Sequence, residues 1–345
     1  MKVIHLPSSV GNHGYSLASS ERDIGIDSTS LVCGKNNFNM RADRFIENRS
    51  TPKYILNILK EFIGNRNKYS VFHFNYGRTL LGCLGEDLNG LDLPFYNGKR
   101  IMTFNGSDLR RSESISINPY GIYPEENLSF SQKVFFEKKR SKLLKNLTYI
   151  DHCFVTTPDL LSFLPKDKAT FIPHLKYSLK NLESKNNPKR SRYFTVAHAP
   201  TNRLFKGSDF IIDAMQRISK ENKLVRFVIL ENLPHDQLKN ELANVDLVID
   251  QVRLGWYGAV SLEAMSKGTP AAVYINEHYL SRVEQAMGEA IEDSFLIVNP
   301  ENIYQVLTNY IEDSVWQKTL ESKCLEFISE FHNPNALIKK VVSYY

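Results

Sequence analysis

At 345 residues, with 42% hydrophobic and 11% aromatic residues, the chain carries enough apolar material for two cores of ordinary size and too much for large-scale disorder. A formal charge of +5 suits an anionic substrate or surface without the dense basic character that a nucleic-acid partner demands. Four scattered cysteines, Cys33, Cys83, Cys153 and Cys324, include no Cys-x-x-Cys pair and no histidine cluster, which argues against a disulfide framework and a zinc site and for a reducing, cytoplasmic setting.

The first apolar run, Met1 to Leu6, breaks at Pro7, too short for a secretory segment and suited to a buried strand. No apolar stretch approaches the roughly 20 residues that span a bilayer, so any membrane contact is expected to be peripheral. Further strands are predicted at 30–33, 70–74, 100–104 and 152–156, with helical or polar stretches between them. Residues 176–192 are dense in polar and breaker residues and read as a linker between a domain 1–175 and a second domain 193–325. The second domain restarts the alternation with strands at 193–197, 226–230, 246–249, 271–275 and 295–298. Residues 303–345 read as two or three helices broken around His332-Asn-Pro-Asn. This alternation predicts an α/β protein of two doubly wound, Rossmann-like domains, with ligands beyond the carboxyl ends of the strands in a cleft that the two sheets share.

Loops after strands therefore hold the candidate site. Gly11-Asn-His-Gly-Tyr15 follows the first strand; its glycines either let backbone approach a ligand or serve a plain turn, and His13 is either an acceptor-side group or an exposed loop residue. In Phe72 to Arg78, strand alternation puts His73 and Asn75 on one face. Asn75 and Arg78 are acceptor-side candidates, and His73 reads equally as a core histidine. The loop 103–111 presents Asn105, Asp108, Arg110 and Arg111 at a cleft edge, Asp108 serving as a helix cap or as a substrate contact. Residues 131–145 interleave lysines and aromatics, as in an ordinary surface helix or one whose cationic face rests on anionic lipid.

Residues 195–207 run from a strand into a loop with Arg203, Lys206 and Gly207, two cations suited to a diphosphate. Residues 255–270 begin Gly255-Trp-Tyr-Gly-Ala259 and continue as a helix. Gly258 would open that helix with its N–H groups, and Glu263 would accept from ribose hydroxyls; the plain alternative is a turn followed by a solvated glutamate.

Together these segments resemble the donor site of the GT-B retaining glycosyltransferases of family 4, over most of 194–300. Glu263 matches the second glutamate of that family's Glu-x7-Glu pattern, and Gly255 stands at the first. Arg203 and Lys206-Gly207 resemble the family's diphosphate-binding pair at a shorter spacing, and Asn105 stands where the family has a histidine. The resemblance implies a GT-B enzyme moving a sugar, with retention, from a nucleoside-diphosphate sugar to a glycan or lipid-linked glycan in bacterial-type surface polysaccharide or glycoconjugate synthesis. Arg203, Lys206 and Asn105 would be catalytic, and Gly14, Gly207, Gly255, Trp256, Tyr257, Gly258, Ala259 and Glu263 would bind donor. His13, Asn75, Arg78, Asp108 and Arg110 would bind acceptor. No metal and no cofactor beyond the donor are expected, no nucleic-acid partner, and a cytoplasmic location that extends to the inner membrane face. Residues 326–345 would form a closing helix that crosses back to the first domain. The alternatives are a nucleotide-sugar epimerase of the same fold and a catalytically silent sugar-nucleotide-binding protein.

Overall fold

A computed structural model of the chain describes residues 1–8, 10–34, 41–47, 51–110, 117–122, 129–180 and 192–345. It divides into two compact units. The first comprises Met1–Arg111, Asn127–Lys180 and His332–Tyr345, and the second Ser112–Glu126 and Asn181–Phe331. The linker expected at 176–192 falls mostly on 181–191, outside the described residues.

Unit 1 is built on seven parallel strands: β1 (Lys2–Leu6), β2 (Asp27–Cys33), β3 (Arg44–Ile46), β4 (Val71–Asn75), β5 (Lys99–Phe104), β6 (His152–Val155) and β7 (Ala169–Phe171). Their order is β3-β2-β1-β4-β5-β6-β7, so the sheet reverses direction between β1 and β4, the place where doubly wound sheets open a crevice. The short strands β3 and β7 were not foreseen, because three residues carry too little periodicity to be seen. Alternation sorts the two faces. Ile4, Leu6, Phe72, Phe74, Met102 and Phe104 enter one core, which receives Tyr54 and Ile58 of α2 (Thr51–Asn65) and Leu143 of α3 (Phe130–Asn146). Val3, Val71, Ile101 and Phe154 enter the other. That second core is closed by Leu17 of α1 (His13–Asp23) and by Leu337, Ile338 and Val341 near the carboxyl end.

Unit 2 has five parallel strands: β8 (Phe194–His198), β9 (Val225–Ile229), β10 (Leu247–Gln251), β11 (Ala271–Val273) and β12 (Leu296–Ile297). Their order is β12-β11-β10-β8-β9, with the reversal between β8 and β10. The crossovers include α4 (Arg203–Lys206), α5 (Ser208–Glu221), α6 (His235–Ala243), α7 (Ala259–Met265), α8 (Glu277–Leu280) and α9 (Gln285–Ser294). Three further helices follow, α10 (Ile303–Glu312), α11 (Ser314–Phe331) and α12 (Pro334–Val342), broken at His332 and Asn333 as the sequence indicates. Asn333 caps α12 through its side chain and Pro334 takes the first turn, where its missing N–H is not needed. Residues 117–122 belong to unit 2, where Asn276 donates to the Ile117 carbonyl at 2.7 Å and Asn118 to that of Arg253 at 2.8 Å.

A buried polar chain ties the last residues to the sheet of unit 1. His5 on β1 lies in register with His73 on β4, their rings 4.8 Å apart. His5 meets the buried Glu21 of α1 at 2.9 Å, and the Tyr345 hydroxyl donates to the other Glu21 oxygen at 2.7 Å. With its proton so committed, that hydroxyl accepts from His73 Nδ1 at 2.8 Å, which fixes the tautomer and leaves His73 Nε2 to accept from Thr103 Oγ1 at 2.7 Å. Tyr345→Phe should therefore destabilise the protein by about 1–3 kcal/mol, because it strips a partner from Glu21 and from His73. Urea denaturation measures this, and an unchanged midpoint would remove the structural role of the hydroxyl.

Candidate functional site

The best-formed cluster of predicted residues stands at the carboxyl edge of the unit 2 sheet, on either side of the β8/β10 reversal. After β8, Asn202 accepts from the Phe205 N–H at 3.2 Å and starts α4, so Arg203 and Lys206 form one helical turn and not the expected loop. Gly207 then adopts φ 72° to turn the chain into α5; a Cβ there would lie 2.5 Å from Val252 Cγ2, so only glycine fits. His198 fastens the same corner. Its Nδ1 donates to the Ile249 carbonyl at 2.7 Å and its Nε2 accepts from Ser208 Oγ at 2.7 Å, while burial lowers its pKa to about 4 and keeps it neutral.

Asp250 is the residue on which the cluster turns, and the sequence reading missed it. Its buried carboxylate takes the Lys206 ammonium on one oxygen, and on the other the Gly258 N–H at 2.6 Å and the Ser261 hydroxyl at 2.7 Å. Burial alone would push this carboxyl up; the charge and hydrogen bond of Lys206, with Ser261 and Gly258, outweigh that and hold it below the ordinary value. Lys206 Nζ lies 3.3 Å from where a Cβ on Gly258 would be. Lys206 and Gly258 thus meet as expected of a shared anion site, but the anion they share is a side chain. Arg203 turns elsewhere: it is 54% exposed and forms a two-pronged pair with Glu231, Nε to Oε1 at 2.8 Å and Nη2 to Oε2 at 2.6 Å.

Glu263 follows in α7. It is buried, not solvated, and accepts from His235 Nε2 at the start of α6 at 2.9 Å, a partner that no local pattern announces. Gly255 has φ 77°, and a Cβ there would lie 2.7 Å from the Tyr279 ring and 3.1 Å from Asn276 Cβ. The acid that the family pattern expects at this position therefore has neither the backbone conformation nor the space. Trp256 and Tyr257 are both buried; Trp256 stacks on Tyr257 at 4.9 Å, and Tyr257 on Phe295 at 5.1 Å with Phe327 edge-on at 5.8 Å. Their rings anchor the loop in the core, and the Gly258 N–H that follows is taken by Asp250.

In unit 1, Gly14 and Asn75 meet at the β1/β4 reversal. Gly14 sits close to the buried Asn75: a Cβ on Gly14 would lie 3.3 Å from Asn75 Nδ2 and 3.2 Å from the Ser8 carbonyl. His13 is buried at the start of α1 and not exposed in a loop, its ring 4.8 Å from that of His174. Burial, then the neighbouring His5, lowers His13 to about 3; burial, then His13, holds His174 well below its ordinary value. Asn105 accepts from Thr156 Oγ1 at 3.3 Å. Asp108 closes a turn instead of capping a helix, accepting from the preceding Asn105 N–H at 3.1 Å and Gly106 N–H at 2.8 Å. Arg78 is paired with Glu86 at 2.5 Å, and Arg110 with the buried Asp159 at 2.6 Å, so both guanidinium groups are already used within unit 1. Arg111 lies outside the described residues. Among the described residues no group of three or more His, Cys, Asp or Glu side chains is placed to hold a metal ion, and no helix is long and apolar enough to cross a membrane.

No protein-family model and no curated protein matches the chain. Solved structures do match it along its length. A sucrose-phosphate synthase from Thermosynechococcus elongatus is similar with a TM-score of 0.63 at 15% identity, covering 100% of this chain and 98% of that one. The Anabaena protein HepE, solved in complex with UDP and glucose, is similar with a TM-score of 0.62 at 13% identity, covering 100% of both. A Listeria monocytogenes protein described as a UDP-N-acetylglucosamine 2-epimerase is similar with a TM-score of 0.55 at 13% identity, covering 99% and 94%. The fold is thus the two-unit, Rossmann-like GT-B architecture of these proteins.

Two outcomes follow from this geometry. Gly255→Glu should lower stability by at least about 2 kcal/mol, through a left-handed backbone and overlap with Tyr279, and should not raise activity; a stable variant with higher activity would contradict the packing argument. For His13 and His174 the folded pKa is depressed, so the unfolded chain binds protons that the folded chain refuses. Stability should be full above pH 6.5 and fall as pH drops below it, by about 1.4 kcal/mol per pH unit for each histidine. Urea midpoints between pH 7 and pH 5 report this, and a His13→Asn variant should show a shallower slope.

Proposed function

We propose that the chain is a glycosyltransferase that takes a sugar from a nucleoside-diphosphate donor held by unit 2. The observation that carries the reading is the meeting of Lys206, the Gly258 amide and the Ser261 hydroxyl on Asp250 at the β8/β10 reversal, a turn and a half before Glu263. This is where an open α/β sheet binds its ligand, and the Lys206 donors left over from Asp250, with Arg203 and Glu263 nearby in the sequence of turns, suit a diphosphate and its ribose.

In this reading the two cations divide the work. The Lys206–Asp250 pair is buried, so removing one partner strands the other, whereas the Arg203–Glu231 pair is exposed and exchanges at little cost. Arg203 is then the mobile cation that leaves Glu231 for the departing diphosphate, where charge builds up in the transition state. Lys206 adds its remaining N–H donors from a position that Asp250 fixes. Glu263, oriented by His235, holds the ribose hydroxyls. The acceptor is a glycan or lipid-linked glycan bound by unit 1 through the Gly14, Asn75 and Asn105 loops, and the reaction retains configuration and needs no metal. The similarity to the Listeria protein makes a nucleotide-sugar epimerase the second reading.

Incubation with a panel of nucleoside-diphosphate sugars and glycan acceptors separates these readings: transfer supports the first, an epimerised donor the second, and binding without turnover overturns both. Arg203→Ala should leave the fold intact and reduce transfer by about 10²- to 10³-fold. Lys206→Met alone should unfold or strongly destabilise the protein, by about 3–5 kcal/mol, since it leaves Asp250 buried and uncompensated. The double variant Lys206→Met with Asp250→Asn should recover stability but not transfer. Glu263→Gln should weaken nucleoside-diphosphate binding in calorimetry, and unchanged affinity would refute the ribose role. Transfer should persist in a metal chelator.

A further inference from the structure

Unit 1 exposes apolar side chains in an ordered pattern that its core does not require. On α2, Tyr54 and Ile58 face inward, while Ile55, Leu56, Leu59 and Ile63 point to solvent at spacings of three and four residues, with Leu56 65% and Ile63 63% exposed. Lys53 and Lys60 lie beside this stripe on the same helix. The turn 86–95 continues the surface: Phe95 is exposed and its ring meets Phe62 of α2 edge-on at 6.2 Å. From there the surface passes to α3, where Asn146 donates to the Asn89 carbonyl at 3.1 Å and Lys142 to that of Asp87. The amino-terminal turns of α3 again expose apolar groups, Phe130 at 83% and Val134.

The charge on this surface is predominantly positive, with Asp87 of the turn an exposed acid within it. Helix α3 carries Lys133, Lys138, Lys139, Lys142 and Lys145 against the single acid Glu137. Glu137, Glu86 and Glu61 are held in ion pairs, by Arg140, by Arg78 and Lys139, and by Arg44 respectively. An exposed aliphatic stripe flanked by lysines is the pattern of a helix that lies in a lipid interface, its apolar side chains among acyl chains and its ammonium groups at the headgroups. Apposing two copies would bring like-charged lysine rows together, and this disfavours self-association.

We infer that α2, the turn 86–95 and α3 form a membrane-docking face that seats unit 1 on an anionic bilayer. The face belongs to unit 1 and the residues assigned to donor binding to unit 2, and its test needs no turnover. The full chain should co-sediment with vesicles of phosphatidylglycerol and phosphatidylcholine in equal parts and not with pure phosphatidylcholine, and binding should weaken with added salt. Lys133→Gln with Lys138→Gln should weaken partitioning by about 30-fold, at roughly one kcal/mol per lysine near the surface. Leu59→Ser with Ile63→Ser, exposed changes that leave the core untouched, should weaken it by at least about tenfold with an unchanged melting temperature. Failure of the wild-type chain to bind the anionic vesicles would overturn the inference, as would equal binding by both double variants. A concentration-dependent dimer in ultracentrifugation that the Leu59→Ser, Ile63→Ser variant abolishes would overturn it too, by assigning the face to a second copy.

Discussion

A carboxylate buried at the end of a parallel strand must find a cation and donors, because its desolvation is otherwise too costly to bear. Asp250 obtains them from three separate points of the chain: Lys206 from the turn after β8, Gly258 from the loop after β10, and Ser261 from the first turn of α7. That demand fixes the conformation of the carboxyl edge of unit 2. It draws α4 against β10, where Val252 N–H also donates to the Lys206 carbonyl at 3.0 Å, and it holds the glycine loop in place before α7 begins.

Much of the fold was legible because parallel strands buried on both faces are written as short apolar runs, and the breaks between them are polar. The first strand, the central strands and the helical end at 303–345 follow directly from that contrast. What escaped was either too short for periodicity, as with β3 and β7, or decided by contacts far along the chain. Residues 117–122 illustrate the second kind: nothing local marks them as part of unit 2, since they join it through Asn118 and Asn276, partners of sequence-distant carbonyls.

The same division explains the site. Gly207, Gly258 and Glu263 could be picked out because a glycine at a turn and an acid on a following helix leave a local pattern. The partners Glu231, His235, Asp250 and Tyr279 leave none, each being selected by tertiary contact. Asp250 did carry one signal that could have found it: an acid inside Leu247-Val-Ile-Asp-Gln, an otherwise buried strand beside a sheet reversal, must have a cationic partner close by. His13 differs for the opposite reason. His13, read as a loop residue, is taken inside by α1, where burial keeps it neutral and rules it out as a charged group.

Gly255 shows how one packing choice propagates to chemistry. The Tyr279 ring occupies the volume that a side chain at 255 would need, and the Asn276 N–H donates to the Gly255 carbonyl at 3.0 Å, which locks the left-handed turn. Asn276 also reaches the Ile117 carbonyl, so the short excursion 117–122, the loop after β11 and the glycine turn form one hydrogen-bonded assembly. A donor sugar lying here would be read by backbone amides and by the neutral groups of that assembly, without a carboxylate at position 255.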